Sequence, residues 1–164
     1  MSDKVYKLLF VCTHNSARSI MAECILNSLG RGRFQAFSAG SHPRLTVHPL
    51  ALKTLAAMHI PCENPRSKDW SEFAQPGAPE LDFVFTVCDK AAGEVCPVWP
   101  GQPMTAHWGV ADPAASEGSD EHRAKVFWDT AVMLKRRIEL MLALPLASLG
   151  RMAIQSEMSD IGRR

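Results

Sequence analysis

Cys12 and Arg18 have the residue types and the spacing for chemistry on an anion. Five residues separate them, between an apolar run and a segment with helical spacing. A loop of this length can curl its backbone N–H groups toward one point, where the N-terminus of the following helix adds partial positive charge. Arg18 can clamp two oxygens, and the same field is expected to lower the pKa of Cys12. The segment predicts a nucleophilic thiolate that attacks a bound tetrahedral oxyanion.

The rest of this loop is expected to contact the anion together with Arg18. Asn15 could hold the loop in its curled shape, and Ser19 could donate to the Cys12 sulfur or cap the helix. In the alternative interpretation, Cys12 is a small buried residue at a strand end and Arg18 is a solvated side chain. The predicted substrate-binding residues are Thr13, His14, Asn15, Ser16, Ala17, Arg18 and Ser19.

Two further thiols, Cys88 and Cys96, follow a third apolar run and are separated by a polar segment that contains Gly93. A strand-end thiol and a second thiol beyond such a segment could pass a disulfide outward. Two alternatives remain: the cysteines are unrelated, or they bind zinc together with His107. Their separation does not match a compact zinc knuckle, and no fourth ligand is evident.

Asp112 precedes Pro113, where it could protonate a leaving oxygen or could be an ordinary turn residue. The remaining cysteines, Cys24 and Cys62, are expected to be packing or incidental thiols without a chemical role.

The chain has 164 residues, of which 46% are hydrophobic and 21% are charged, and these values indicate one folded domain. Its formal net charge of +1 gives no broad footprint for nucleic acid or for a membrane surface. The apolar run at residues 8–11 is too short for a signal-peptide core, which predicts a cytoplasmic protein without a membrane anchor. Cysteines in that compartment are more often reactive or metal-binding than structural.

Apolar periodicity predicts strands alternating with helices. Such alternation favours an α/β fold, with a parallel sheet covered by helices on both faces and the site at the carboxyl ends of its strands. The segment after Gly150 could be a short helix or a frayed end. The predicted strands lie at 4–11, 34–38, 81–87 and 105–110, and the predicted helices at 20–29, 46–60 and 121–142.

The segment VCTHNSARSIMAE resembles the phosphate-binding loop of the low-molecular-weight tyrosine phosphatases and of the arsenate reductases that share their fold. The resemblance implies a single domain at 1–150 with a four-stranded parallel sheet, followed by a C-terminal tail at 151–164. His14 and Ile20 stand where the phosphatases usually carry Gly and Pro, which favours the reductase branch. The later segment VCDKAAGEVCPVWPGQPMTAHWGVADPA also resembles the reductases.

This resemblance implies an oxidoreductase of arsenical resistance, in which Cys12 attacks arsenate and Cys88 and Cys96 form a disulfide that a thiol reductant reopens. Thioredoxin is the expected reductant, and Asp112 is the expected general acid. The alternative is a protein tyrosine or small-molecule phosphatase, a hydrolase that uses Cys12, Arg18 and Asp112. Ala114 and Ala115 stand where the phosphatases carry tyrosines. A third interpretation is a non-catalytic regulator that binds an anion or a metal.

The resemblance also implies a monovalent cation beside the loop, near Asn15, Glu23, Ser38 and Asp69. Helix caps and solvated charges explain the same residues equally well. No tightly bound cofactor and no other metal are expected.

Overall fold

The computed structural model describes residues 4–88, 99 and 102–164. Its centre is a sheet of four parallel strands in the order β2-β1-β3-β4. In this register Cys12 pairs with Gly40, and Val11 pairs with Thr86. The strands are β1 (Tyr6–Cys12), β2 (Phe34–Gly40), β3 (Phe83–Thr86) and β4 (Met104–His107).

Four α-helices complete the described fold: α1 (Arg18–Leu29), α2 (Pro49–Ala57), α3 (Asp120–Leu142) and α4 (Arg151–Ile161). Helix α1 ends where the Gly30 N–H donates to the carbonyl of Leu26 at 2.7 Å. Helix α3 begins after Ser119, whose side chain accepts from the His122 N–H at 3.1 Å. These ends follow the glycine stop and the serine cap that the local sequence provides.

The core lies on both sides of the central strand. Residues 8–12 of β1 are all buried. Because successive side chains of a strand point to opposite faces of the sheet, both faces are covered at this strand. Phe10, Phe85 and Trp108 pack together, and the Phe85 and Trp108 ring centroids are 4.6 Å apart. The four-stranded parallel α/β fold predicted from the sequence is confirmed.

Some element bounds differ from the predicted ones. The second helix begins at Pro49 rather than at Thr46, because residues 41–48 bond to the loop after β1 instead. The fourth strand ends at His107, since the Trp108 side chain turns into the core and the Val110 N–H donates to the carbonyl of Val87. Both differences come from contacts with distant parts of the chain.

The segment after Gly150 is the helix α4 rather than a frayed end. Ile154, Met158 and Ile161 are buried along one side of it. The indole N–H of Trp108 donates to the carbonyl of Met158 at 2.9 Å, which ties the helix to the core. The domain boundary at residue 150 stays a prediction.

Within the described residues, none of the helices combines the length and the apolar composition needed to cross a bilayer.

Candidate active site

The loop of residues 13–17 joins the end of β1 to the start of α1. Its flanking segment, residues 41–48, donates backbone N–H groups to the carbonyls on one side of the loop. Within the part of the chain that the structure describes, no acceptor bonds the N–H groups of residues 13–17. These groups can therefore receive an anion. The four bonds run from Ser41 to Cys12 (3.3 Å), His42 to Thr13 (2.8 Å), Arg44 to His14 (3.1 Å) and His48 to Ser16 (2.8 Å).

Asn15 holds the loop in shape from inside. Its φ of 47° lies in the left-handed region, which asparagine tolerates better than most residues. Its side-chain amide donates to Ser19 Oγ at 2.7 Å and accepts from the Lys68 backbone N–H at 2.8 Å. Ser19 Oγ in turn lies 3.3 Å from Cys12 Sγ. One chain of polar contacts thus leads from Lys68 to the sulfur.

Gly40 allows the loop to approach β2 closely. A Cβ at this position would lie 2.6 Å from the Thr13 carbonyl oxygen and 3.0 Å from Asn15. Both distances are too short for a side chain against backbone, so the position requires glycine.

Arg18 and Asp112 meet at the mouth of the loop. Arg18 Nη1 donates to the carbonyl of Val110 at 3.1 Å, and Nη2 lies 3.7 Å from Asp112 Oδ2. The Asp112 carboxylate also accepts from the Ala114 N–H at 2.9 Å, where it caps the short 3₁₀ helix Pro113–Ala115. The arginine is held in place before any anion arrives, and a carboxyl group stands beside it.

Cys88 lies against the same loop, although it comes from the other side of β1. Its side chain is buried, and its sulfur is 3.3 Å from Thr13 Oγ1. The hydrogen bond with Cys88 raises the pKa of Cys12 well above the usual value, and burial raises it further. Ser19 and Arg18 act in the opposite direction. The lowered pKa expected from the loop alone is therefore wrong for this arrangement, because a second thiol packs against the first.

A cleft of about 490 Å³ lies beside the loop that follows the buried Cys12. The predicted thiol Cys88, the predicted clamp Arg18 and the predicted acid Asp112 all line this cleft. The lining residues are Thr13, His14, Arg18, Cys88, Gly109, Val110, Ala111 and Asp112.

Cys96 lies outside the described residues, so its predicted pairing with Cys88 stays a prediction. The alternative zinc site of Cys88, Cys96 and His107 also includes Cys96, which lies outside the described residues. His107 Nδ1 lies 2.7 Å from Thr86 Oγ1. Among the described residues, no group of three or more His, Cys, Asp or Glu side chains is arranged to hold a metal ion.

Cys24 and Cys62 form a disulfide with a Cα–Cα distance of 5.4 Å. The expectation that they are packing or incidental thiols is wrong. The bond joins α1, which carries the loop, to the segment after α2. This pairing has no local signal in the sequence, because 38 positions separate the two residues and only the fold brings them together.

Sequence reasoning missed two residues that support the loop. His48 caps α2 through its ring and holds the Ser16 carbonyl through its N–H. Burial lowers the pKa of His48, and Arg123 acts in the same direction. Lys68 is buried beside Asn15. Pro49 after His48 was a visible signal of a helix start, whereas Lys68 had none.

Fold and site together define a class: parallel α/β proteins in which a cysteine at the end of the first strand lies at the base of an oxyanion loop. Residues 7–152 match the family described as low molecular weight phosphotyrosine protein phosphatase. The chain belongs to that family.

The relatives include arsenate reductases. The arsenate reductase of Halalkalibacterium halodurans is 34% identical over 139 residues, which cover 85% of this chain and 95% of that protein. The glutaredoxin arsenate reductase of Synechocystis is 29% identical over 137 residues, which cover 84% of this chain and 96% of that protein. The solved structure of an arsenate reductase in the phosphate binding state is 28% identical, with a TM-score of 0.70 and coverage of 85% and 98%.

Proposed function

We propose that this chain is a thiol-dependent arsenate reductase. The observation that carries the proposal is the second thiol: Cys88 lines the cleft, and its sulfur lies 3.3 Å from Thr13 Oγ1, on the residue that follows Cys12. A phosphatase needs one nucleophilic thiol, whereas reduction by thiols needs two electrons and therefore a second sulfur. The similarity to arsenate reductases supports the same choice.

In the first step, arsenate binds to the loop N–H groups and to Arg18, and the Cys12 thiolate attacks arsenic. One arsenic–oxygen bond breaks, and Asp112 supplies the proton with which that oxygen leaves as water. The product is a covalent bond between Cys12 Sγ and arsenic(V). Arg18 suits this step because its planar guanidinium can bond two oxygens at once.

In the second step, the Cys88 thiolate attacks Cys12 Sγ. A Cys12–Cys88 disulfide forms, the sulfur–arsenic bond breaks, and its electron pair stays on arsenic, which leaves as arsenite. The two thiols are oxidised by two electrons in total, and arsenic(V) is reduced to arsenic(III). Buried Cys88 is already in contact with the loop, so the attack needs little movement.

In the third step, Cys96 attacks Cys88, which frees Cys12 and leaves a Cys88–Cys96 disulfide. A dithiol reductant reopens such a bond by exchange, and thioredoxin is the reductant that we propose. We place the protein in the cytoplasm, where thioredoxin and glutathione keep thiols reduced.

The experiment compares two activities in two proteins. Wild type should consume NADPH in an arsenate-dependent way with thioredoxin and thioredoxin reductase, and it should also hydrolyse an aryl phosphate slowly. Cys88→Ser should lose the first activity and keep much of the second, because hydrolysis needs no second thiol. If both activities fell together, Cys88 would be structural and the relay would be wrong.

Peptide mapping after arsenate turnover without reductant tests the final disulfide. A Cys88–Cys96 bond should appear only after turnover, whereas the Cys24–Cys62 bond should be present before and after it. Free thiols at Cys88 and Cys96 after turnover would contradict the third step.

Phosphoester hydrolysis is the second candidate. Arg18 and Asp112 line one cleft next to the loop that follows Cys12, and a nucleophile, an anion clamp and an acid are sufficient for phosphoester hydrolysis. Efficient aryl phosphate turnover without arsenate-dependent reduction would favour it.

A further inference from the structure

Lys68 places an ammonium group inside the protein, close to the oxyanion loop. The residue is only 8% exposed. Its Nζ donates to the carbonyl of Arg66 at 2.8 Å and to Ser38 Oγ at 3.5 Å. Ser38 Oγ donates to Glu23 Oε1 at 2.5 Å. Buried Lys68 and Ser38 and half-buried Glu23 thus form one polar cluster.

The charges of Lys68 and Glu23 depend on each other. Burial raises the pKa of Glu23, and the Lys68 ammonium opposes that rise. Burial lowers the pKa of Lys68, and the Glu23 carboxylate opposes that fall. An unpaired charge in this position would be costly, so each group stabilises the charged form of the other.

Lys68 also bonds to the loop itself. Its N–H donates to Asn15 Oδ1 at 2.8 Å, and its carbonyl accepts from the Gly40 N–H at 2.9 Å. Asn15 then bonds to Ser19, whose hydroxyl contacts the Cys12 sulfur. The position of the Lys68 backbone therefore affects the contact nearest to the nucleophile.

We propose that the Lys68 ammonium is the built-in cation of the oxyanion loop, in the place where the family resemblance implied a monovalent metal ion. Of the four residues predicted for that ion, Ser38 contacts the ammonium, Glu23 balances its charge, and Asn15 bonds to the Lys68 backbone. The fourth, Asp69, accepts from the Ser71 N–H at 2.8 Å and caps a short helix. Lys68 is a positioning residue, and its role is the same whether the loop binds arsenate or phosphate.

The test measures two quantities, the melting temperature and the pH at which the Cys12 thiolate forms. The thiolate is followed by its ultraviolet absorbance, from which the absorbance of the Cys12→Ser variant is subtracted. Each measurement is made in potassium chloride and in choline chloride at equal ionic strength. Wild type should give the same values in both salts, because its cation is covalently attached. A saturable rise in melting temperature with potassium but not with choline would overturn the proposal.

Lys68→Met removes the ammonium and keeps the backbone bonds to the loop. We expect a lower melting temperature and a shifted Cys12 titration, both partly restored by potassium and not by choline. The matched control is Lys53→Met, at an exposed position on α2, which should behave as wild type. If the Cys12 titration shifts equally in both salts, the Lys68 side chain acts by packing alone. If the Cys12 titration does not shift in either salt, the Lys68 side chain has no role at the loop. Either result would overturn the proposal.

If Lys68→Met does not fold, Glu23→Gln with Lys68→Met removes both charges at once. This double variant should fold without potassium and show no difference between the two salts. A potassium-specific response in it would contradict the assignment of the cation site to the Glu23–Lys68 pair. Since these readouts need neither arsenate nor a reductant, their failure is distinct from failure of the proposed reduction.

Discussion

At the scale of single residues, the Cys12 thiol lies between groups with opposite effects. Ser19 and Arg18 lower its pKa, whereas Cys88 and burial raise it, and the raising effects dominate. Because Cys88 and Cys12 influence each other, loss of a proton from one thiol makes loss from the other harder, and the apparent pKa values belong to the pair. The resting site therefore holds Cys12 protonated to a higher pH than the loop alone would.

Replacing Cys88 should make Cys12 more acidic. Cys88→Ala removes the hydrogen bond that raises the pKa of Cys12 most, so the thiolate should form at lower pH. Because the thiolate is the attacking form, the acid limb of the pH–rate profile for aryl phosphate hydrolysis should also move to lower pH. Ultraviolet thiolate titration checks the first shift. A Cys12 titration that is unchanged or moved upward would contradict this account.

The nucleophile and its clamp should each be essential. Cys12→Ser should lower both arsenate reduction and aryl phosphate hydrolysis by at least roughly 10³-fold, because a hydroxyl is a far weaker nucleophile than a thiolate. Arg18→Lys should cost about 10²-fold, since a point charge cannot replace the two-pronged guanidinium. Steady-state kinetics of each variant with arsenate and with an aryl phosphate measure these losses. Appreciable turnover by Cys12→Ser would exclude the loop as the active site.

At the scale of elements, the loop depends on β2 and on the segment 41–48. The parallel pairing of β1 with β2 brings Gly40 beside Cys12, and residues 41–48 then hold the loop carbonyls. The loop is short and has no regular structure of its own. Its shape is therefore determined by what packs against it.

Gly40→Ala should distort the loop. The added Cβ would meet the Thr13 carbonyl oxygen, and relief requires movement of backbone at the anion site. We expect a loss of about 1–3 kcal/mol in stability and a larger proportional loss of activity. Thermal unfolding and kinetics measure the two effects. Gly150→Ala is the control, since a Cβ there meets nothing within 4 Å. Equal behaviour of the two variants would contradict the close approach.

Helix α4 should act as part of the folded core. Met158 is buried against the sheet, and its carbonyl accepts from Trp108. Met158→Ala should cost about 2–4 kcal/mol through the cavity that it leaves. Met152→Ala, on the same helix at an 88% exposed position, should cost almost nothing. Chemical denaturation compares the two. If both variants lost only a little stability, residues 151–164 would be a tail that does not stabilise the fold.

At the scale of the whole molecule, the Cys24–Cys62 disulfide closes a long loop of chain between α1 and the segment after α2. In the oxidised protein it restricts the unfolded chain and holds the helix that carries the oxyanion loop. In the reducing cytoplasm that we propose, thiol reductants compete with this bond. The bond therefore stabilises the fold only in protein that retains it.

Replacing both cysteines should lower the stability of the oxidised protein by about 3–4 kcal/mol, for a loop with a sequence separation of 38. Cys24→Ser with Cys62→Ser should melt at the temperature of reduced wild type, and added reductant should not change it further. Calorimetry with and without reductant provides the measurement. Equal melting of oxidised wild type and of the double variant would show that the bond does not stabilise the fold.

The sequence by itself determined the local features. Short apolar runs predicted the strands, because a parallel sheet covered by helices buries both of its faces. Helical periodicity predicted the main helices, because burial of one helix face imposes a repeat on neighbouring residues. The Cys12 to Arg18 segment predicted an anion loop for the same reason, since its residues are adjacent in the chain. These features depend on short-range geometry alone.

Only the tertiary structure decided which distant residues meet at the site. The contact of Thr13 with Cys88 spans 75 positions, and that of Asn15 with Lys68 spans 53. The fold thereby brings Cys88 close to Cys12, where it raises the Cys12 pKa against the expected direction, and it places the buried Lys68 ammonium beside the loop. Strand order and helix packing create such contacts, and neither leaves a periodic trace in the sequence. A pKa depends on every charge and hydrogen bond around the group, so it follows the fold and not the motif.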